Sequence, residues 1–358
     1  MMRWVRRSLT FIGITILLVI IMLIIIEGIA GVMIAGSHFI HSPMRTVRER
    51  IHTEFDPLLG WRHIPGIHKP NCFRRGVGIT VNQQGLRATQ EYSRSIPPGK
   101  FRVVCVGDSY TMGFGVNDHE TWPVELEKLD TKIEAINMGM SGYGLDQMYL
   151  WYMRDNEKFE HAMAIIAISC YDIERMLSGT FLGYPKPVLG IDNDNTVCVA
   201  KAPRKPLFFL SPDIPILIVE SLRSLHVVKM AEFIARKRIA RLRSEFDPTN
   251  VAVTAVIDAI VADIGALALS HDREVVFAYL PSGVDFVGKR ISHQVKAVMS
   301  NAVRKAGLQW LDISPAFDRF LKEHAFEDIT LEDGHYTALG QRCVAEAIHE
   351  AIKERSML

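Results

Sequence analysis

The stretch VVCVGDSYTMGFGV, residues 103–116, decides how the chain is interpreted. Its first four residues are apolar and predict a buried β-strand that ends at Val106. Gly-Asp-Ser follows at once, which puts Ser109 just beyond the strand. In a parallel α/β sheet, ligands bind at the carboxyl ends of the strands. Ser109 is therefore a candidate nucleophile, although a serine between a strand and a helix is also an ordinary helix cap.

Four more apolar segments continue this pattern along the chain. They are IEAINMG (133–139), AMAIIAIS (162–169), REVVFAYLP (273–281) and QWLDIS (309–314). Helices are predicted between them, one beginning at Thr121-Trp122-Pro123 and another from about Asp146 to Phe159. Near-continuous apolar strands that alternate with helices are typical of a parallel sheet covered on both faces. The pattern predicts an α/β fold, a three-layer α/β/α sandwich with five parallel strands.

Two segments depart from the α/β pattern. Residues 37–100 favour short strands and turns, as in GWRHIPG (60–66) and GITVNQQGLRA (78–88), and end at a Pro-Pro-Gly breaker. An insertion at 177–245 contains a predicted hairpin over 186–203, which turns at 193–195. A strongly basic helix is predicted after it, from Leu225 to Phe246. We expect the catalytic domain to span 101–354, with the 37–100 segment packed on it.

Composition excludes some classes of function. The chain has 358 residues, with 41 Lys and Arg against 40 Asp and Glu, so it lacks the basic excess typical of nucleic-acid binding. Its five cysteines form no C-x-x-C motif and no Cys/His cluster, so no metal site is expected. A disulfide between Cys72 and Cys198 is left open, because it depends on an oxidising compartment.

The N-terminus carries a membrane signal. Residues 9–26 are uncharged and mostly apolar, and the apolar character continues to Gly36. Such a run predicts a transmembrane anchor over 9–36, after a cytoplasmic tail of residues 1–8. Three arginines in that tail favour a cytoplasmic N-terminus, which would place the domain in the periplasm of a Gram-negative cell. A cleaved signal peptide is the alternative, but the run is long and no A-x-A cleavage site follows it.

The C-terminal sequence LEDGHYTALG offers the partners that a serine nucleophile needs. A serine requires a general base, and the base requires an acid that orients it. His335 lies in the loop before the last helix, for which Thr337 is a plausible cap. In a parallel sheet this loop meets the same edge as Ser109. Asp333, two residues before His335, is the predicted acid, with Glu332 as the second choice.

These motifs resemble the blocks of the SGNH (GDSL-type) hydrolase family. GDSYT and DGH match its first and last blocks, and NMGMSGYG (137–144) is similar to the second. The resemblance covers about residues 55–350 outside the insertion, and the segment before GDS looks like membrane-anchored bacterial members. It implies a flavodoxin-like sheet and an oxyanion hole formed by the N–H groups of Ser109 and Gly142. Tyr171 stands where the family has an oxyanion-binding asparagine, and is a possible substitute for it.

The resemblance implies a serine esterase that cleaves acyl esters through an acyl-enzyme, with acetyl as the expected acyl group. No cofactor is expected, and the partners would be acyl-ester small molecules, glycans or lipids and the membrane. One alternative is an O-acetyltransferase acting on cell-surface polysaccharide, within an envelope polysaccharide machinery. Another is a non-catalytic glycan-binding or assembly protein that retains the fold, which the Tyr171 departure favours.

Overall fold

The computed structural model describes residues 2–38, 49–181, 184–194, 196–204, 247–286, 288 and 290–354. The strands are β1 (Thr53–Asp56), β2 (Gly60–His63), β3 (His68–Arg74), β4 (Val77–Thr80), β5 (Phe101–Gly107), β6 (Ile133–Gly139), β7 (Met163–Ile168), β8 (Thr180–Phe181), β9 (Tyr184–Pro185), β10 (Val188–Ile191), β11 (Val197–Lys201), β12 (Glu274–Tyr279) and β13 (Gln309–Asp312). The α-helices are α1 (Met2–His38), α2 (Ser109–Met112), α3 (Trp122–Leu129), α4 (Leu145–Asp155), α5 (Cys170–Arg175), α6 (Val251–Ser270), α7 (Gly283–Phe286), α8 (Arg290–Lys305), α9 (Ser314–Phe320), α10 (Phe326–Ile329) and α11 (Ala338–Lys353).

Five strands form a parallel sheet in the order β13–β12–β7–β5–β6. The chain enters at β5, adds β6 on one side and then builds β7, β12 and β13 on the other. This is the flavodoxin-like order, and the five-stranded parallel sheet confirms the predicted fold class. The reversal of direction at β5 creates a crevice at its carboxyl end, where ligands bind in such sheets. Ser109 follows β5 and therefore lies at this point.

Helices cover both faces of the sheet. On one face, Val103 and Cys105 of β5 share a hydrophobic cluster with residues of α3, α9 and α11. On the other face, α4, α6 and α8 pack against the strands and against one another. Apolar residues that point to both sides of a strand need such cover, which explains why the central strands lack the polar alternation of a half-exposed sheet.

Several element boundaries differ from the prediction by a few residues, among them the ends of α4 and β13. The helix predicted over 146–159 ends as α4 at Asp155, and a short 3₁₀ turn, Asn156–Lys158, replaces its last residues. The strand predicted over 309–314 stops at Asp312 because α9 starts at Ser314 with proline in its first turn. Thr337 caps α11 as expected, since its side-chain oxygen accepts a hydrogen bond from the Gly340 N–H.

Segment 49–100 folds into two antiparallel hairpins, β1–β2 and β3–β4. The first hairpin is tied to the loop after β6. The Trp61 indole donates a hydrogen bond to the Ser141 carbonyl at 3.1 Å, and the Tyr143 hydroxyl donates to the Trp61 carbonyl. The hairpin predicted in the insertion is present as β10 and β11. Asn195 in its turn and the basic helix predicted over 225–246 lie outside the described residues.

Two of the described helices are long and apolar enough to cross a membrane by length and composition. One is Phe11–Ile29 within α1, which belongs to a compact unit separate from the one that contains the described strands. The other is α6, which packs on the sheet through residues such as Ile257, Ile260 and Ile264.

The five cysteines of the described chain are thiols, so no disulfide joins Cys72 to Cys198.

Candidate active site

Ser109 begins α2 directly after β5 and is 3% exposed. The Asp108 carboxylate caps this short helix by accepting a hydrogen bond from the Tyr110 N–H at 2.9 Å. The helix sits tightly on the ends of β5 and β6. A Cβ atom at Gly107 would collide with Thr111, and one at Gly139 would collide with the Met112 backbone. Glycine at both strand ends therefore lets the chain turn and present Ser109 at the edge of the sheet.

The loop before α11 brings His335 to Ser109. His335 Nε2 lies 2.9 Å from Ser109 Oγ, and His335 Nδ1 lies 3.0 Å from Asp333 Oδ1. Because a carboxylate can only accept, Nδ1 carries the proton in the neutral ring and Nε2 is free to accept the serine O–H. Gly334 between the acid and the base has a φ of 86°, a conformation that favours glycine. The sequence D-G-H thus turns both side chains toward the serine.

Of the two carboxylates proposed from the sequence, Asp333 contacts the imidazole. Its Oδ1 also accepts a hydrogen bond from the His335 backbone N–H at 3.1 Å, which fixes the carboxylate beside the ring. The Glu332 side chain is exposed to solvent. The structure therefore brings Ser109, His335 and Asp333 together and leaves the second choice outside the cluster.

Two aromatic rings hold the imidazole. The centroids of the Phe114 and Tyr110 rings lie 4.5 Å and 5.2 Å from that of His335. The Tyr110 hydroxyl donates a hydrogen bond to the Gly334 carbonyl at 3.1 Å, and burial raises the pKa of this phenol well above its usual value. The hydroxyl therefore stays protonated and restrains the loop. Sequence reasoning missed both rings, although both follow the serine within the quoted stretch.

The candidate oxyanion donors follow β5 and β6. No hydrogen bond within the described part of the chain uses the N–H of Ser109 or of Gly142. Gly142 has a φ of 79°, and a Cβ atom there would collide with the Phe181 ring. An anion-binding turn requires a backbone N–H that no other group of the described chain uses, and a positive φ such as that of Gly142 is typical of these turns.

Tyr171 follows β7, where the family asparagine would stand. It lies in α5 and is half-buried, and the Arg175 guanidinium carbon lies 5.9 Å from its ring centroid. Its phenol is close enough to Tyr110 to raise the pKa of that residue. Tyr171 is therefore near the cluster, but it offers a hydroxyl where the family offers an amide. Arg175 was not foreseen, although its place three residues after Asp172 suits an ion pair on one helical turn.

The histidines of the N-terminal segment have other partners. His63 is buried, with Nδ1 3.2 Å from His52 Nδ1 and Nε2 3.3 Å from the Gly139 carbonyl. His68 is exposed and contacts the Thr80 hydroxyl. Neither histidine is placed beside the serine in these contacts.

No family model and no curated protein matches the chain. Among solved structures it is similar to a lipolytic protein of the G-D-S-L family from Desulfitobacterium hafniense DCB-2, at 15% identity and a TM-score of 0.39, covering 70% of this chain and 99% of that one. LAE5, an α/β hydrolase from the Lake Arreo metagenome, is 13% identical with a TM-score of 0.42, covering 70% and 94%. A catalytic mutant of Axe2, an acetylxylan esterase from Geobacillus stearothermophilus, is 13% identical with a TM-score of 0.40, covering 70% and 94%. These structural neighbours are a lipolytic protein, a hydrolase and a mutant of an esterase. At such low identity they show a shared fold, and the function of this chain has to be inferred from its own contacts.

Proposed function

We propose that the protein is a serine esterase that cleaves acyl esters through an acyl-enzyme. The observation that supports it is the chain of contacts from Ser109 Oγ to His335 Nε2 and from His335 Nδ1 to Asp333, at 2.9 Å and 3.0 Å. Both distances are within hydrogen-bond reach, which is what a nucleophile, its base and the orienting acid require. A helix cap alone gives no reason for a buried serine to point at an imidazole that is itself oriented by a carboxylate.

The proposed reaction has two halves. His335 Nε2 takes the Ser109 proton as Oγ attacks the ester carbonyl carbon, and Asp333 stabilises the imidazolium that forms. The N–H groups of Ser109 and Gly142 stabilise the negative oxygen, with the Tyr171 hydroxyl as a third donor. The imidazolium then protonates the leaving alkoxide, which leaves an acyl group on Ser109. Water, deprotonated by the same imidazole, releases the acid and regenerates the enzyme.

We propose a short acyl group such as acetyl. The Phe181 ring lies against Gly142, which narrows the space beside the proposed oxyanion site. An acceptor other than water would make the enzyme an O-acetyltransferase of surface polysaccharide, and the same acyl-enzyme would serve both reactions. A glycan-binding or assembly protein that retains the fold is the non-catalytic alternative.

We also propose that α1 anchors the protein in a bacterial inner membrane as a single-pass segment. Phe11–Ile29 has the length and composition to span it, and Arg3, Arg6 and Arg7 precede it. These charges favour a cytoplasmic tail and a periplasmic domain. Alkaline carbonate extraction should leave the full chain in the membrane pellet, whereas removal of residues 2–38 should release it. Recovery of the full chain in the soluble fraction would contradict the anchor.

The test of the esterase uses the full chain in detergent and p-nitrophenyl acetate. Wild type should hydrolyse the ester and carry acetate on Ser109 by mass spectrometry, and Ser109→Ala should lose both. Ser282→Ala is the matched control, because Ser282 is also buried and follows β12. Folded wild type with neither turnover nor adduct would contradict the esterase and favour the binding protein. Acetate transfer to an added oligosaccharide in preference to water would identify the transferase.

A further inference from the structure

One arginine joins the three loops that follow β5, β6 and β7. Arg175 Nη1 lies 3.0 Å from Asp108 Oδ2, 3.1 Å from the Tyr143 carbonyl oxygen and 2.8 Å from Asp172 Oδ1. The first group belongs to the turn after β5, the second to the loop after β6 and the third to the helix after β7. A single guanidinium therefore links three neighbouring strands of the sheet at their carboxyl ends.

Each of these contacts lies one residue from a proposed oxyanion donor. Those donors are Ser109, which follows Asp108, Gly142, which precedes Tyr143, and Tyr171, which precedes Asp172. A shift at any one contact would disturb the backbone that carries the adjacent donor, because the two residues are neighbours in the chain. The relative positions of all three donors are thus coupled to the Arg175 side chain.

The guanidinium is itself held in place. Its central carbon lies 5.1 Å from the centroid of the Phe181 ring, the ring that also packs on Gly142. The Asp172 carboxylate, its partner on α5, accepts a second hydrogen bond from the Ser169 N–H at 2.7 Å. The Arg175 side chain is 14% exposed, so little room remains for it to change rotamer. A planar, multiply bonded group of this kind fixes geometry better than a flexible ammonium does.

The charge of Arg175 also makes the arrangement of carboxylates possible. Burial and the nearby Asp108 raise the pKa of Asp172 well above its usual value, and Arg175 opposes that shift. Two carboxylates held this close repel each other unless a cation lies between them. Arg175 contacts both carboxylates and therefore offsets the repulsion between Asp108 and Asp172 at the strand ends that carry them.

We propose that Arg175 is the positioning residue of the oxyanion hole, a role that rests on the esterase proposed above. It does not touch the substrate. It sets the spacing between the Ser109 N–H, the Gly142 N–H and the Tyr171 hydroxyl. Tyr171 follows β7, where the family has an asparagine. Pre-organised donors act only when they match the tetrahedral oxygen, and a displacement of about 1 Å can cost about 10²-fold in rate.

The test compares Arg175→Lys and Arg175→Gln with wild type in the full chain, using p-nitrophenyl acetate. We expect kcat to fall by about 10²-fold with KM little changed, because the loss concerns the transition state. Affinity for methylboronic acid, which forms an anionic tetrahedral adduct with a serine, should fall in parallel. Arg175→Lys retains the charge without the planar fork, so it should fold when Arg175→Gln does not, and should still lose rate.

Arg102 provides the matched control. It is a buried arginine on β5, bonded to Glu134 and to several carbonyls at the opposite, amino end of the strand. Arg102→Lys should lower the unfolding temperature but leave kcat and boronic acid affinity per folded molecule unchanged. Unchanged kcat in a folded Arg175→Lys protein, with wild type active, would overturn this inference alone. Failure of wild type to acylate Ser109 would instead overturn the proposed function.

Discussion

At the scale of single residues, three side chains orient the imidazole of His335. Asp333 holds Nδ1, and the rings of Tyr110 and Phe114 pack against the imidazole. A general base works only if its lone pair points at the proton it removes. The carboxylate controls the tautomer of the ring, whereas the aromatic rings control its plane. We therefore expect removal of the carboxylate and removal of a ring to affect the rate by different mechanisms.

Replacing Asp333 with asparagine should lower kcat by about 10⁴-fold, as loss of the orienting carboxylate does in serine proteases. Asparagine can hold the wrong tautomer, in which Nε2 carries the proton and cannot accept from Ser109. Steady-state hydrolysis of p-nitrophenyl acetate measures the effect. Glu332→Gln is the matched control, because it changes the adjacent, exposed carboxylate in the same way. Equal losses in the two variants would mean that Glu332 shares the role.

At the scale of elements, the segment that precedes β5 braces the loop that carries Phe114. Arg87 is buried, and its guanidinium donates to the carbonyls of Met112, Gly113 and Val116 at 2.5–2.7 Å. The same group donates to Asp118 at 2.9 Å. A buried arginine that satisfies four acceptors of one loop keeps that loop in a single conformation. The segment before β5 is thus part of the site's support.

Replacing Arg87 with lysine should lower both stability and activity. An ammonium cannot reach all of the carbonyls, and each buried acceptor that is left without a hydrogen bond costs about 1–3 kcal/mol. Phe114 should then shift away from His335, which lowers kcat as well. Chemical denaturation and p-nitrophenyl acetate turnover measure the two effects.

Arg62→Lys is the control for that experiment. Arg62 lies in the same segment, but its ion pair with Glu54 is largely exposed. A change there should stay within about 0.5 kcal/mol. If Arg87→Lys behaves like Arg62→Lys in both measurements, the proposed support of the loop is wrong.

The sequence predicts the sheet better than it predicts this support. Strands such as β6 were located to the residue because their apolar runs are bounded by turns. Ser109 and His335 could be related because parallel strands end at one edge. Arg87 and Arg175 could not be foreseen in the same way. Apart from the Arg175–Asp172 pair within α5, their partners are backbone carbonyls and carboxylates of distant loops, and no periodicity in the sequence marks those contacts.

At the scale of the whole molecule, buried neutral histidines make stability depend on pH. Burial lowers the pKa of His63 and of His161 to about 4. His161 donates from Nδ1 to the Phe159 carbonyl and accepts the Tyr152 hydroxyl at Nε2, which requires the neutral ring. The folded pKa lies below the unfolded value, so the unfolded chain binds more protons between them. Stability is therefore complete above about pH 6.5 and declines as the pH falls toward 4.

One such histidine should cost about 2 kcal/mol of stability between pH 7 and pH 5. Replacing His161 with glutamine should remove that part of the pH dependence, whatever the substitution does to stability at pH 7. Denaturation curves at several pH values measure the slope. His119→Gln, at an exposed position, should leave the slope unchanged. A slope that stays the same in His161→Gln would contradict the assignment.

The position of the apolar helix α6 limits how the chain can be divided between the two sides of a membrane. It lies between Ser109 and His335 in the sequence, and a hydropathy count alone would pass it through the bilayer. The nucleophile and its base would then face opposite sides of the membrane. Pairing of β7, which precedes α6, with β12, which follows it, forbids that topology. Both halves of the site must therefore be delivered to the same compartment before the sheet can close. The site is completed only when the whole segment from Ser109 to His335 has been exported or retained together.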